Sequence, residues 1–366
     1  MRQHRVAYLP GDGIGPEVCA VARRCVDAAG TTFGFGVAWD EQVIGGGAID
    51  RFGQALPPAT LDACREADAI LLGAVGGPRW DDPSATARPE DALLALRSEL
   101  ELFANLRPVT AHAALQTASP LRPEVRAGAD IMILRELTGG LYFGRPQGRE
   151  THDGVESVVD TLRYTRAEIE RIVELGFELA EGRRGRLTSV DKANVLASSR
   201  LWREVVVDLA ERHPSVTVEH ALVDSTAYLL LTQPGHYDVI VTENLFGDIL
   251  SDEAAAIAGS LGLLASASLG TRTTPAGRFG LYEPVHGSAP DIAGRGAANP
   301  LATVSSAAMM LRLSLGEAGA ADALEAAVDA CIADGPRTGD LGGSDGTEAV
   351  AGSLLARIDQ GAEVPA

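Results

Sequence analysis

The sequence has few of the features that mark exported, membrane-bound or disulfide-rich proteins. Its four cysteines form no Cys-x-x-Cys pair, so their spacing indicates neither a zinc site nor a disulfide framework. No apolar signal segment precedes the strand-like residues 6–9, and the most apolar long stretch, 254–270, is interrupted by glycine and serine. We therefore expect a cytoplasmic protein without a membrane span.

Positive charge is scarce. The 31 lysines and arginines stand against 50 acidic residues, and the formal net charge is -19. Such a chain repels nucleic-acid phosphates and anionic membranes, and no basic run offsets the repulsion. We expect no nucleic-acid and no membrane partner. A local cluster of arginines is informative in so acidic a protein, because an acidic substrate requires locally concentrated positive charge.

Short apolar runs alternate with amphipathic stretches along the chain, which predicts an α/β fold. The length of 366 residues suits about two domains, and composition alone places a boundary within residues 145–154. The predicted strands are 6–9, 69–72, 130–134, 187–190 and 239–242. The predicted helices are 16–29, 90–102, 166–181, 199–212, 305–315, 322–333 and 347–358.

Residues 11–17 read Gly-Asp-Gly-Ile-Gly-Pro-Glu between a predicted strand and a predicted helix, as a dinucleotide fingerprint would. That fingerprint requires glycine at its sixth position, where this chain has Pro16. A turn with proline near the helix start explains these residues better. A nucleotide site must therefore lie elsewhere.

Asp248 and Asp252 are four residues apart in a helical pattern, which brings both carboxylates to one face. Such a pair repels itself unless a cation neutralises it, and oxygen ligands suit Mg²⁺ or Mn²⁺. Asp224 is one candidate for a third ligand. The alternative is a solvated acidic helix face.

Other charged and polar residues suggest substrate chemistry. Arg97, Arg107 and Arg135 could each hold a carboxylate with two parallel hydrogen bonds, or could be unrelated ion-pair partners. Lys192 could act as a base and Tyr142 as an acid, or both could be surface or interface residues.

Residues 283–300 form a long stretch rich in Gly, Ala and Pro with little periodicity. Long loops of this kind are often functional. Backbone amides near Gly287 and Ser288 could meet a pyrophosphate, and Asp291 could accept hydrogen bonds from a ribose diol. His286 alone is more typical of an ordinary loop histidine.

Five segments occur in this order within residues 5–348: GDGIGPE, ELTGGLYFG, DKAN, NLFGDILSD and EPVHGSAPDIAG. Together they resemble the isocitrate/isopropylmalate family of β-decarboxylating dehydrogenases. The resemblance implies an isopropylmalate dehydrogenase-like two-domain α/β fold without the Rossmann fingerprint. It also implies discontinuous domains, with 1–102 plus 259–366 on the cofactor side and 103–258 as a central domain.

The resemblance implies roles residue by residue. Arg97, Arg107 and Arg135 would grip substrate carboxylates, with Asp224 also beside the substrate, and Asp224, Asp248 and Asp252 would hold Mg²⁺ or Mn²⁺. Tyr142 and Lys192 would be the acid and the base. Lys192 and Asp224 would reach the partner subunit's site, which implies a homodimer. The NAD contacts would be Gly76, Gly77, Glu90, His286, Gly287, Ser288, Ala289, Pro290, Asp291, Ile292 and Asn299, within the segments 76–90 and 286–299.

Substrate choice would depend on Leu93 and Leu94, which with Val195 and Glu90 would surround an apolar substituent. An apolar wall rejects an extra carboxylate strongly, whereas one methylene alters binding by only about 1–3 kcal/mol. The implied reaction is oxidative decarboxylation of 3-isopropylmalate with NAD, in leucine biosynthesis, and Asp291 implies preference for NAD over NADP. The alternatives are 3-ethylmalate or another alkylmalate, homoisocitrate, isocitrate or tartrate as substrate, and a substrate-binding homologue without turnover.

Overall fold

A computed structural model describes residues 2–82 and 85–361. The strands are β1 Arg2–Gly11, β2 Phe35–Glu41, β3 Ala69–Ala74, β4 Leu102–Thr110, β5 Asp130–Glu136, β6 Gly148–His152, β7 Val155–Val159, β8 Arg186–Asp191, β9 Thr217–Leu222, β10 Val239–Thr242, β11 Ala265–Thr273 and β12 Arg278–Pro284. The helices are α1 Gly15–Phe33, α2 Gly46–Phe52, α3 Pro58–Glu66, α4 Pro89–Glu99, α5 Pro123–Arg126, α6 Arg166–Glu181, α7 Ala197–Ala210, α8 Val223–Thr232, α9 Asn244–Glu253, α10 Ala255–Ala258, α11 Leu301–Leu313, α12 Ala318–Asp334 and α13 Thr347–Gly361.

These elements confirm the predicted α/β class and every predicted strand. The helix predicted over 90–102 was too long at its carboxyl end, because it ends at Glu99 as α4. Glu101 adopts a left-handed backbone with φ of 50°, which an α-helix does not accommodate. Leu102 then begins β4. An apolar run cannot by itself distinguish the end of a helix from the start of a strand.

Two compact units divide the chain. Unit 1 comprises the described residues within Met1–Leu102, His112–Pro120 and Ala258–Ala366, and unit 2 comprises Phe103–Ala111 and Leu121–Ile257. Residues 112–120, assigned by the resemblance to the central domain, group with unit 1. The stretch 145–154 lies within unit 2 and contains β6, so it does not separate the units.

Unit 1 is built on five strands in the order β2-β1-β3-β12-β11. The first four are parallel, and β11 runs antiparallel to β12. All six residues of β3 are buried, as expected for a parallel strand covered on both faces. Its Ile70 and Leu72 pack in one apolar cluster with Leu96 of α4. This packing fixes the helix that carries Arg97.

Unit 2 is built on five strands in the order β4-β5-β10-β8-β9. β5, β10, β8 and β9 are parallel, and β4 runs antiparallel to β5. Parallel strands present their carboxyl ends at one edge, where α/β proteins place their ligand sites. Arg135 is in register with Thr242, and Thr242 with Val190. The ends of three strands therefore align next to Arg135, Glu243 and Lys192.

A separate hairpin of β6 and β7 also belongs to unit 2. Two of its valines, Val155 and Val158, are exposed. In the described part of the chain, no helix combines the length and the apolarity needed to cross a membrane.

Candidate active site

The acidic pair predicted from residue spacing lies on α9, which follows β10 at the carboxyl edge of unit 2. Glu243 caps this helix, because its carboxylate accepts hydrogen bonds from the backbone amides of Leu245 and Phe246, at 3.2 and 2.8 Å. The helix brings Asp248 and Asp252 to one face, with side chains 35% and 60% exposed. The predicted helical spacing is confirmed.

Two of the three predicted arginines meet this acidic pair. Arg135, 1% exposed, donates from Nη1 to Asp248 Oδ1. Arg107 donates from Nη1 to Asp252 Oδ1 at 3.1 Å, and its Nη2 lies 3.7 Å from Asp248 Oδ1. A Cβ at Gly247 would lie 2.6 Å from Arg135 Cγ, so a glycine there lets α9 approach the arginine. The acidic face of α9 is therefore not simply a solvated one.

The electrostatics of the pair follow from this packing. Burial raises the pKa of Asp252, the nearby Arg107 opposes that shift, and repulsion from Asp248 adds to it. Two guanidiniums thus face two carboxylates at close range. The charges of the two signs balance locally, so each carboxylate of the pair has an arginine beside it.

Tyr142 lies at the end of a single helical turn, Gly140–Tyr142. Its hydroxyl donates to Asp248 Oδ2 at 2.9 Å. Burial raises the pKa of this phenol above its usual value, and the Asp248 carboxylate raises it further. The phenol is therefore held protonated at neutral pH, which is the state that a proton donor needs.

Lys192 follows β8 directly, and its Nζ donates to Asp224 Oδ1 in the first turn of α8. This bond lowers the pKa of the Asp224 carboxyl. Among the described residues, no group of three acidic, histidine or cysteine side chains is placed to hold a metal within one chain. Asp224 therefore does not join Asp248 and Asp252 in a single chain.

One further signal in the sequence singles out Lys192. Of the 31 basic residues 30 are arginine, and Lys192 is the only lysine. An arginine is always protonated in proteins, whereas a lysine can exchange its proton.

The third arginine, Arg97, belongs to unit 1, where its Nη2 lies 3.4 Å from Glu283 Oε1. Both side chains are about nine-tenths buried, at 8% and 11% exposed. Leu93 packs against the unit 1 core cluster, and Leu94 is half-buried. Val195, in unit 2, is 63% exposed.

The loop from residues 285–300 begins where β12 ends. Its Ser288 carbonyl accepts a hydrogen bond from the Ile14 amide at 2.8 Å, and a Cβ at Gly13 would lie 2.0 Å from that oxygen. Glu17 Oε1 accepts the Ala298 amide at 3.0 Å. The Gly-Asp-Gly-Ile-Gly-Pro-Glu segment therefore supports this loop.

The predicted NAD residues of this loop all lie in unit 1. Asp291, Gly287 and Pro290 are exposed, whereas Ser288 and Asn299 are buried and His286, Ala289 and Ile292 are half-buried. The side-chain amide of Asn299 donates from Nδ2 to Asp340 Oδ2 at 3.0 Å. Burial lowers the pKa of His286, which keeps its ring neutral.

Sequence reasoning missed Asp12. Its buried carboxylate accepts the backbone amides of Gly46, Gly47 and Gly76, at 2.8, 2.9 and 2.9 Å. A Cβ on Gly76 would lie 2.8 Å from Glu90 Oε1, so the peptide and this glutamate are close neighbours. The half-buried Gly77 follows. Of the predicted segment 76–90, Pro83 and Ser84 lie outside the described residues. The sequence signal for Asp12 was its position between two glycines, which is typical of an aspartate that bonds backbone amides in a turn.

A family model described as isocitrate/isopropylmalate dehydrogenase matches residues 5–354. The chain therefore belongs to the isocitrate/isopropylmalate dehydrogenase family, a family of β-decarboxylating dehydrogenases. This confirms the resemblance drawn from the five segments.

Individual relatives agree with this placement. The chain is 55% identical over 354 residues to a 3-isopropylmalate dehydrogenase of Anaeromyxobacter dehalogenans, covering 97% of this chain and 99% of the relative. It is 58% identical over 337 residues to the Heyndrickxia coagulans enzyme of that name, covering 92% and 90%. The solved isocitrate dehydrogenase of Methylococcus capsulatus shares the fold with a TM-score of 0.86 and 36% identity, covering 98% of this chain and all of that one.

Proposed function

We propose that this chain catalyses oxidative decarboxylation of (2R,3S)-3-isopropylmalate to 4-methyl-2-oxopentanoate, with reduction of NAD, in leucine biosynthesis. The observation that carries the proposal is the face of α9, where Asp248 and Asp252 meet Arg107 and Arg135 and Tyr142 donates to Asp248. Relatives more than half identical carry the name of this activity. Four free, buried cysteines suit the reducing cytoplasm as the proposed location.

The substrate is a diacid, and we assign its carboxylates to Arg97, Arg107 and Arg135. Buried guanidiniums suit this role because each presents a planar set of donors that matches a carboxylate. Arg107 donates from Nη1 to Ser251 Oγ at 2.5 Å and from Nε to Asn105 Oδ1 at 2.8 Å. Its orientation is therefore set before any substrate arrives.

We assign Asp248 and Asp252, with Asp224 from a second subunit, to a Mg²⁺ or Mn²⁺ ion. Carboxylate oxygens are the ligands these cations prefer, and the mutual repulsion that contributes to the raised pKa of Asp252 is what a cation would relieve. When bound, the ion would supply Lewis-acid stabilisation of the negative charge that decarboxylation leaves on the substrate's C2 oxygen.

The proton transfers are assigned to two side chains. Lys192, assisted by its partner Asp224, takes the C2 hydroxyl proton. NAD, when bound, would supply the acceptor for the hydride of C2. Carbon dioxide then leaves C3, and Tyr142 donates its phenol proton to C3 of the resulting enolate. The raised pKa of Tyr142 keeps the phenol protonated until the carbanion forms.

Substrate choice is assigned to apolar side chains, and cofactor choice to an exposed carboxylate. Leu93, Leu94 and Val195 would face the isopropyl group, with Glu90 beside them, and an unpaired third carboxylate would be costly there. Asp291 is exposed and would accept hydrogen bonds from a ribose diol, which favours NAD over NADP.

The assembly we propose is a homodimer in which Lys192 and Asp224 serve the partner subunit's site. Tyr228 on α8 and Ile249 on α9 support it, because their side chains are 68% and 57% exposed on the helices that carry the predicted metal ligands. The two helices pack against each other, and exposed apolar side chains on packed elements are typical of contact surfaces.

The experiment is a spectrophotometric panel. NADH formation is followed with 3-isopropylmalate, 3-ethylmalate, homoisocitrate, isocitrate and tartrate, each with Mg²⁺ and each with a chelator. We expect the highest kcat/KM for 3-isopropylmalate, a ratio above about 10³ over isocitrate, and no turnover with the chelator. Preference for a triacid would refute the assigned apolar wall. No turnover with any of these acids would favour the substrate-binding alternative.

A further inference from the structure

We infer that Asn244 is a positioning residue that sets both Arg135 and the turn carrying Tyr142. This deepens the proposed function, since it rests on the roles assigned to those two side chains. Asn244 begins α9 and is 1% exposed. A buried polar side chain fixes the position of its neighbours when its donor and acceptor atoms are hydrogen-bonded to them.

The carboxamide of Asn244 makes two different kinds of contact. Its Oδ1 accepts hydrogen bonds from Nε and Nη2 of Arg135, at 3.0 and 2.8 Å. Its Nδ2 donates to the carbonyl of Gly139 at 3.1 Å, three residues before Tyr142. One side chain therefore links the arginine, the tyrosine turn and the helix of the acidic pair.

The surroundings hold Asn244 and the turn in place. The backbone amide of Asn244 donates to the hydroxyl of Tyr164 at 3.0 Å. On the other side of the turn, the buried Glu136 accepts the amides of Thr138 and Gly139, at 2.9 and 2.8 Å. Glu136 directly follows Arg135 in β5, so the turn is fixed between a strand end and a helix start.

The two contacts predict separable effects on kinetics. Loss of the acceptor frees Arg135, which would weaken the hold on a substrate carboxylate and raise KM. Loss of the donor frees the Gly139 carbonyl and the turn, which would misplace the phenol and lower kcat. An aspartate keeps the acceptor and, being ionised, cannot donate.

The test compares Asn244→Ala with Asn244→Asp at saturating NAD and Mg²⁺. We expect N244A to raise KM for 3-isopropylmalate by about 10-fold and to lower kcat by about 30-fold. We expect N244D to keep KM within about 3-fold of the parent enzyme while kcat falls by about 10-fold. A purely structural role would alter both constants alike in the two variants, and melting temperatures are recorded to establish that each is folded.

A double variant gives the second readout. If Asn244 acts on kcat through Tyr142, N244D combined with Tyr142→Phe should fall no more than about 2-fold below Y142F alone, because coupled residues are not additive. Additive losses, or N244D matching N244A in KM, would overturn the inference. Parent-level kcat in Y142F would instead refute the proposed role of Tyr142, and with it the effect of Asn244 on kcat.

Discussion

Unit 2 contains two charged regions that differ in burial. On α9, the acidic pair is held by Arg135 and Arg107, whose side chains are 2% and 9% exposed. At the start of α8, Asp224 is 62% exposed and its partner Lys192 is 26% exposed. The two regions therefore differ in the burial of their cations, whereas Asp252 and Asp224 are similarly exposed, at 60% and 62%.

The difference suggests which charged groups of the proposed shared site serve their own subunit and which serve the partner subunit. Buried arginines must be paired within the chain, because an isolated buried charge is costly. An exposed pair costs little to separate, so it can exchange its partner for a group on another molecule. The α9 region is therefore expected to serve its own subunit and the α8 region the partner.

The largest effect is expected from Arg135→Met. This change leaves Asn244 Oδ1 and one oxygen of Asp248 without their donor, which should cost about 3 kcal/mol of stability and lower kcat/KM by roughly 10³. Differential scanning calorimetry and NADH formation measure the two effects. Arg149→Met, at an exposed arginine paired with Glu156 in the same unit, is the control and should change neither.

A smaller effect on activity, without any on stability, is expected from Asp224→Asn. Loss of the proposed ligand and of the partner of Lys192 should lower kcat by about 100-fold. Its melting temperature should match that of Glu219→Gln, a control at an exposed carboxylate paired with His236. A fall in stability like that of R135M would show that the two regions do not differ as stated.

Mixing subunits makes the same comparison directly. Denatured and renatured mixtures of D224N with Y142F should recover about a quarter of parent activity, because half the dimers are mixed and one of their two sites is intact. Mixtures of R135M with Y142F should recover none, since both changes fall in one subunit's part of the site. Recovery in neither mixture would place Asp224 in its own subunit's site.

The smallest effect is expected at Asp291 in unit 1, which resembles Asp224 in its exposure. Asp291→Lys should leave stability unchanged and shift the NADP over NAD preference in kcat/KM by about 30-fold, through loss of a ribose contact and gain of a cation for the 2′-phosphate. Asp359→Lys, on α13, is the control. An unaltered preference would remove Asp291 from the cofactor assignment.

Much of the architecture follows from patterns along the chain. Apolar runs predicted the positions of the strands, and the four-residue spacing of Asp248 and Asp252 predicted that both lie on one face of a helix. Pro16 excluded the dinucleotide fingerprint, and the structure assigns that segment to loop support through Ile14 and Glu17. The contacts of Asp12 and Asn244 could not be predicted, because each depends on backbone groups distant in sequence.

The sequence by itself determined the fold class, the family and the chemical types of residue available, since periodicity and motif order are properties of the chain. Only the tertiary structure decided which charges meet. Arg135 pairs with a residue 113 positions away, and Asp224 pairs with Lys192 rather than with the other aspartates. Pairing of this kind depends on strand order and on burial, and neither is encoded in local spacing.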